Sequence, residues 1–218
     1  MGGRLKGRCV MAIEESELRS VLGEYVQRHP SERESLAPLL DHSEGLARLT
    51  SSTHFDGGHL TCGALVVNAA RQILVIRHRR YRLWLLPGGH IEQSDESLLA
   101  TALRELFEET GITAAEVAPS AHLGTRPLDV ELHPIPARAD QPAHWHADVV
   151  FLFVADHPVV RPDTSEVLSY SWYDLKSAPI GRRAHKAGAA LRVTATDGSS
   201  EVVAQPFPNE TPPAMSRA

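Results

Sequence analysis

The chain has 218 residues, 42% of them hydrophobic and 22% charged, which suits one globular domain with appendages. A net charge of -5 and a pI near 6.2 argue against a nucleic-acid-binding surface as its main business, and no apolar run approaches the ~20 residues that span a bilayer. Two cysteines, Cys9 and Cys62, make neither a disulfide framework nor a metal pair, so a reducing, cytoplasmic setting is expected.

The stretch from Gly2 to Arg8 is basic, but the apolar run after it is too short for a signal peptide, and Met11 is an alternative start. Ile13, Leu18, Val21, Leu22, Tyr25 and Val26 follow a helical period that ends at His29-Pro30. Ser31 to Glu34 has the pattern of a capping box, and Leu36, Leu39 and Leu40 continue a second helix. Residues 13–49 therefore read as a helical hairpin that packs on the core or on a dimer partner.

From His59 the period changes to that of strands. Leu60–Val67 and Arg71–His78 are joined by Asn68-Ala69-Ala70 as a hairpin. Leu83–Leu86, Leu128–Ile135, Trp145–Ala155 and Val167–Trp172 are further strands. Ser97–Thr110 lacks Pro and Gly and stops at Gly111, which predicts a capped helix, and Arg182–Arg192 predicts another. Beyond Val193 the Thr/Ser/Gly/Pro-rich sequence has no period and is expected to be loosely ordered. The division is 1–54 as a helical extension, 55–193 as the main domain and 194–218 as a tail.

The Ser97–Thr110 helix carries the chemistry. At 100° per residue, Glu105, Glu108 and Glu109 fall within an arc of roughly 100°, beside an apolar stripe of Leu99, Ala102, Leu103 and Leu106. Like charges three and four apart repel by a few tenths of a kcal/mol per pair, so three on one arc call for a cation. A hard ion such as Mg²⁺ fits carboxylate oxygens together with substrate phosphates. Arg104 can orient a carboxylate, and Pro87-Gly88-Gly89 forms a loop where backbone approaches a ligand closely.

Glu96, seven residues, then Arg104-Glu105-Leu106-Phe107-Glu108-Glu109-Thr110-Gly111-Ile112 resembles the signature of the Nudix hydrolase family. The departure is upstream: six residues separate Gly89 from Glu96, where the family pattern has five. The resemblance implies an α/β fold, an α/β/α sandwich around a mixed sheet, here preceded by the N-terminal helical hairpin. It also implies metal ligation by Gly89, Glu105, Glu108 and Glu109, with Glu166 as an additional ligand or base. Glu105, Glu108, Glu109 and Arg104 are then the catalytic set.

Two further clusters are marked by the residues themselves. Arg77, Arg79, Arg80 and Arg82 crowd the segment before Trp84, where Arg77 and Arg79 are candidates for substrate phosphate, or else parts of a solvated basic turn. His144, His146 and Asp148 alternate, which puts them on one strand face, with His133 a possible neighbour. They suit substrate contact, a base or a metal, or simply a polar strand face, and no third zinc ligand is fixed by spacing.

The expected activity is Mg²⁺-dependent hydrolysis, with Mn²⁺ as a substitute, of a diphosphate linkage in a nucleoside diphosphate joined to another group. The partner is a small molecule rather than nucleic acid or membrane, and the protein a monomer or homodimer. Alternatives are a non-catalytic ligand-binding module of the same fold, and a prenyl-diphosphate-acting enzyme in which Cys62 would be the acid/base.

Overall fold

The computed structural model describes residues 13–42, 45–139 and 141–196. Cys9, the start at Met11 and the segment from 197 onward lie outside them. Helix α1 (Glu15–Arg28) begins with Glu15 and Glu17 and ends with Arg28, charges that complement its dipole, and stops before Pro30. It buries Leu18, Leu22, Tyr25 and Val26. The second arm of the expected hairpin is not one helix. Pro30 and Pro38 break it into a 3₁₀ turn at Pro30–Glu32, a single-turn α2 (Ala37–Leu40) and another 3₁₀ turn at Leu46–Thr50. Its Leu36, Leu39, Leu46 and Leu49 are all buried in the same apolar cluster as α1.

The strands are β1 (His59–Asn68), β2 (Gln72–His78), β3 (Trp84–Leu85), β4 (Gly88–His90), β5 (Ala118–Pro119), β6 (Asp129–Ile135), β7 (His144–Ala155) and β8 (Val167–Asp174). Helices α3 (Leu98–Thr110) and α4 (Arg182–Thr196) complete the fold, α4 running into the segment set apart from 194. One mixed sheet contains all the strands. Its spine is the parallel pairing of β1 with β7, in register from His59 opposite His146 to Asn68 opposite Ala155. On β1's other side lie β2 and β4, while β5 and β6 border β7 and β8 borders β2. Strand β4, expected as loop, pairs with β1 through Gly88 opposite Gly63 and Gly89 opposite Cys62. A Cβ at Gly88 would meet the Cys62 carbonyl oxygen at 2.5 Å, so only glycine allows this approach.

Side-chain alternation divides the core in two. Leu60, Cys62, Ala64, Val66, Ala147, Val149 and Phe151 face α3 and the N-terminal helices. Leu65, Val67, Ile73, Val75, Val150 and Leu152 face Ala184, Ala187 and Ala190 of α4. Being covered on both sides makes β1 nearly continuous in apolar residues. Among the described residues no helix is long and apolar enough to cross a membrane.

The layers are tied together at Asp129, which is fully buried at the start of β6. Its carboxylate accepts from Lys186 Nζ (2.7 Å), Arg183 Nε (3.1 Å) and Tyr25 Oη (3.2 Å), so α1, β6 and α4 meet on one charge. Burial disfavours that charge, but Lys186, Arg182 and Arg183 outweigh it and hold the carboxyl below its usual range. Its contribution is therefore present above about pH 4 and lost as pH falls through the lowered value. Asp129→Ala, which removes the carboxylate these cations share and leaves them Glu32, Glu131 and Asp148, is expected to cost about 2 kcal/mol in urea unfolding. The deficit should shrink in acid; a deficit that grew below pH 4 would contradict the assignment.

Candidate active site

Helix α3 starts at Ser97, whose hydroxyl accepts from the Ala100 N–H, and ends at Gly111 in the left-handed conformation (φ 70°). Its inward positions Leu98, Ala102 and Leu106 are fully buried, and the next position on that line is Glu109, only 1% exposed. The apolar stripe that docks the helix thus carries a carboxylate into the protein. Leu99 and Leu103, expected in the stripe, are partly buried at its margin.

Arg104 organises the acidic set. Its Nε and Nη2 each reach an Asp95 carboxylate oxygen at 2.9 Å, Nη1 reaches Glu105 (3.0 Å) and Glu108 (2.8 Å), and Nη2 also donates to the His90 carbonyl (2.7 Å). The two-pronged pairing uses the planar fork of the guanidinium. It raises the pKa of Arg104 further and holds Asp95 below the usual carboxylate range, despite burial. Asp95 also accepts from the Thr101 hydroxyl and the Glu92 N–H. Glu96, matched above to the first acid of the signature, is exposed. Asp95, separated from Gly89 by five residues, is the acid that meets Arg104, so the extra residue falls between it and Arg104. Spacing counted from Gly89 rather than back from Arg104 would have found it.

For Glu105 and Glu109 burial outweighs the compensation they receive. Burial pushes Glu105 up to about 7, outweighing the attraction of Arg104, with Glu108 and Glu166 adding repulsion. Burial pushes Glu109 up to about 8, offset only in part by the Gly88 N–H that donates to it at 2.8 Å. Gly89 lies against the Glu105 carboxylate, where an added Cβ would sit 2.6 Å from Oε1. His78 Nε2 is 4.0 Å from Glu109, and ligand atoms of His78, Glu109 and Glu166 lie within 4.8 Å of one another. Glu108 is half exposed. Glu105, Glu109, Gly89 and Glu166 are thus brought together, with Glu108 at the rim through Arg104. His78, not singled out in the sequence, joins them because β2 turns it towards α3. These hard oxygen donors, of which Glu109 is buried, Glu105 nearly so and Glu166 exposed, fit a divalent cation such as Mg²⁺.

The arginines go elsewhere. Arg77 alternates with His78 and shares the α4 face with Ile73 and Val75, so the sheet stands between it and Glu109. Arg79 donates Nε (3.0 Å) and Nη2 (2.8 Å) to the Thr164 carbonyl, and its N–H donates to the Glu166 carbonyl, so it fixes the loop that carries Glu166. His144 and His146 also lie across the sheet from the glutamates, since Ala147 and Val149 face α3. There they join His59, His90 and His133. A cavity of about 250 Å³ lined by Leu39, Leu49, Gly57, His59, Leu132 and Trp145 borders this cluster rather than the glutamates.

A model of the NUDIX domain family matches residues 58–193, more than half of the chain. The chain belongs to the Nudix family. The m7GpppN-mRNA hydrolase NUDT17 of Danio rerio is 31% identical over 160 residues, 66% of this chain and 51% of that protein. Phosphatase NudJ of Escherichia coli K12 is 47% identical over 58 residues, 26% of this chain and 37% of that protein. The chain thus spans about half or less of the length of the curated relatives it matches. Among solved structures, C. elegans Ap4A hydrolase covers 62% of this chain and 98% of its own, at 19% identity and a TM-score of 0.49.

Two measurements check this Nudix box. Asp95→Ala should cost about 2 kcal/mol by removing the two-pronged partner of Arg104, which keeps Glu105 and Glu108, whereas Glu96→Ala should stay within about 0.5 kcal/mol. Equal effects would restore Glu96 as the partner. Between pH 4.5 and about 8 the metal-free folded state holds protons on Glu105 and Glu109 that the unfolded chain has released. Its stability should therefore fall as pH rises across that window, and Glu109→Gln should flatten the fall.

Proposed function

We propose that this Nudix protein is a Mg²⁺-dependent hydrolase that cleaves a diphosphate linkage in a nucleoside diphosphate joined to another group. The observation that carries the reading is the pair Glu105 and Glu109, two buried carboxylates with raised pKa values, beside a strand of two glycines. Burying charge without a partner is costly, and a ligand-free protein gains nothing from it. Such clusters mark sites where a cation or a proton is exchanged.

In this reading Glu105, Glu109 and the Gly89 carbonyl hold the cation, with Glu108 and Glu166 completing its oxygen donors. A bound Mg²⁺ supplies neutralisation of the bridging phosphates and a more acidic water. The protein's own part is positioning. Arg104, itself fixed by Asp95, holds Glu105 and Glu108 in place, and the Gly88 N–H orients Glu109. Arg79 fixes the 164–166 loop, so that Glu166 faces Glu109 across the site. The prenyl-diphosphate alternative has little support, because the acid/base it needs, Cys62, is buried against α3 with its thiol pKa pushed up by burial.

The domain division 1–54, 55–193 and 194–218, a monomeric or homodimeric state and a cytoplasmic setting belong to the same proposal. The N-terminal residues act as packing, since Leu18, Leu22, Leu36 and Leu49 share one apolar cluster with Leu98 and Leu106.

The test is a phosphate-release screen with Mg²⁺ or Mn²⁺ over nucleoside triphosphates including 8-oxo-dGTP, nucleotide sugars, ADP-ribose, dinucleoside polyphosphates, coenzyme A, capped RNA and prenyl diphosphates. Turnover of at least one diphosphate is expected. Glu109→Gln should lower kcat at least about 100-fold with folding intact, and Cys62→Ala should leave it within about threefold. An active Glu109→Gln would sink the proposal. Metal binding without turnover of any of these would favour the non-catalytic module instead.

A further inference from the structure

Three adjacent strands and the short β4 bring imidazoles into one cluster on the α4 face of the sheet. His59 on β1 pairs with His146 on β7, which pairs in turn with His133 on β6, and His90 on β4 pairs with Thr61. His59 and His144 are almost fully buried. The rings of His59 and His146 are 4.5 Å apart between centroids, those of His59 and His90 4.9 Å, and those of His90 and His146 5.5 Å. The acidic site lies on the other face, because Gly89 meets Glu105 there and His90 is its neighbour along the strand.

The hydrogen bonds determine which nitrogens offer lone pairs. His59 Nδ1 is 3.2 Å from the His54 carbonyl, and His144 Nδ1 is 2.8 Å from the Pro142 carbonyl. A carbonyl only accepts, so both rings carry the proton on Nδ1 and present a bare Nε2 inward. His90 Nε2–H then donates to His59 Nε2 at 3.1 Å and His146 Nε2–H to His144 Nε2 at 3.2 Å, so in the metal-free protein the lone pairs of His90 and His146 are on Nδ1. Backbone carbonyls that fix the Nδ1–H tautomer are the outer partners by which proteins orient imidazoles towards a metal. Burial also holds His59 down to about 4 and lowers His90 and His146, so all three rings are neutral, the ligating form, at pH 7.

We propose that His59, His90 and His146 form a second metal site, for a divalent transition ion of the zinc class, with the fourth position open to water. Ligand atoms of the three lie within 4.8 Å of one another, and tetrahedral zinc at about 2.05 Å asks for about 3.4 Å, a gap that side-chain rotation closes. Three imidazoles select Zn²⁺, Cu²⁺ or Ni²⁺ over Mg²⁺, the reverse of the carboxylate site. His144 stacks on His59 (4.9 Å, 28°) as an outer partner. The neighbouring group of His133, His146 and Asp148 is the poorer alternative. Its carboxylate is already occupied by Arg183 Nη2 (2.9 Å), His133 (3.2 Å) and the Thr61 hydroxyl, and a guanidinium in contact repels a cation.

The test uses the full chain stripped of metal and dialysed against Zn²⁺ at pH 7.5. The wild type and the double variant Glu105→Gln/Glu109→Gln should each retain one zinc per chain in the imidazole site. His146→Ala should weaken that binding at least about 100-fold, because outer partners alone are worth 10- to 100-fold. In the wild type loaded with one equivalent of Co²⁺, proton NMR should show hyperfine-shifted exchangeable imidazole N–H signals, an observation that needs no variant. Zinc lost with the glutamates, zinc kept at full affinity by His146→Ala, or Co²⁺ without shifted imidazole signals would each overturn the site.

Discussion

Glu109 occupies a position on α3 that helical geometry reserves for a core residue. The helix docks through Leu98, Ala102 and Leu106, and continuing that line by one turn delivers a carboxylate, 1% exposed, against the glycine strand β4. Everything around it follows from accommodating that group. The glycines remove side chains that would collide with Glu105 or with β1, and the Gly88 N–H supplies the one backbone donor that orients the carboxylate. Arg104 is not free to neutralise it, because its fork is engaged by Asp95, Glu105 and Glu108. Burial therefore outweighs the positive charge at hand, and it raises the pKa values of Glu105 and Glu109, with repulsion among the carboxylates adding to it.

The rest of the architecture holds this helix in register. Parallel pairing of β1 and β7 sets the central rows of the sheet, and each row has opposite consequences on its two faces. Towards α3 it presents Cys62, Ala64 and Val149, small or branched side chains on which a helix packs closely. Towards α4 it presents Thr61, His59, His146 and Asp148 at one end and an apolar surface at the other. The carboxylate cluster and the imidazole cluster thereby lie on opposite faces of a single sheet.

What could be read in the sequence was what is local. The helix, its stop at Gly111 and the arc of three glutamates depend on spacing within one segment, and they stand as expected, with the helix beginning one residue later, at Leu98, so that Ser97 is its cap. The alternation of His144, His146 and Asp148 was equally legible. Long-range pairing was not: nothing in the order of residues brings His59 beside His146, a parallel register set by chain passing over the sheet, or His90 across from Thr61 in an antiparallel pair with no tight turn between its strands. The same limit explains Arg77, whose sequence neighbourhood is basic but whose strand parity sends it to the opposite face. Asp95 is obscured differently, because the extra residue lies between it and Arg104 and the seven-residue spacing from Arg104 falls on Glu96. The broken second arm of the N-terminal hairpin reflects Pro30 and Pro38 overriding a helical period of leucines.

The central claim is that Glu105 and Glu109 are a protonated, cation-seeking pair in the metal-free protein. Calorimetric titration with Mg²⁺ at pH 7, repeated in buffers of different ionisation enthalpy, counts the protons released on binding. Carboxyls poised near 7 and 8 predict release of about one proton per cation in the wild type and distinctly less in Glu109→Gln. Binding that releases no protons, or that releases the same number without Glu109, would contradict it.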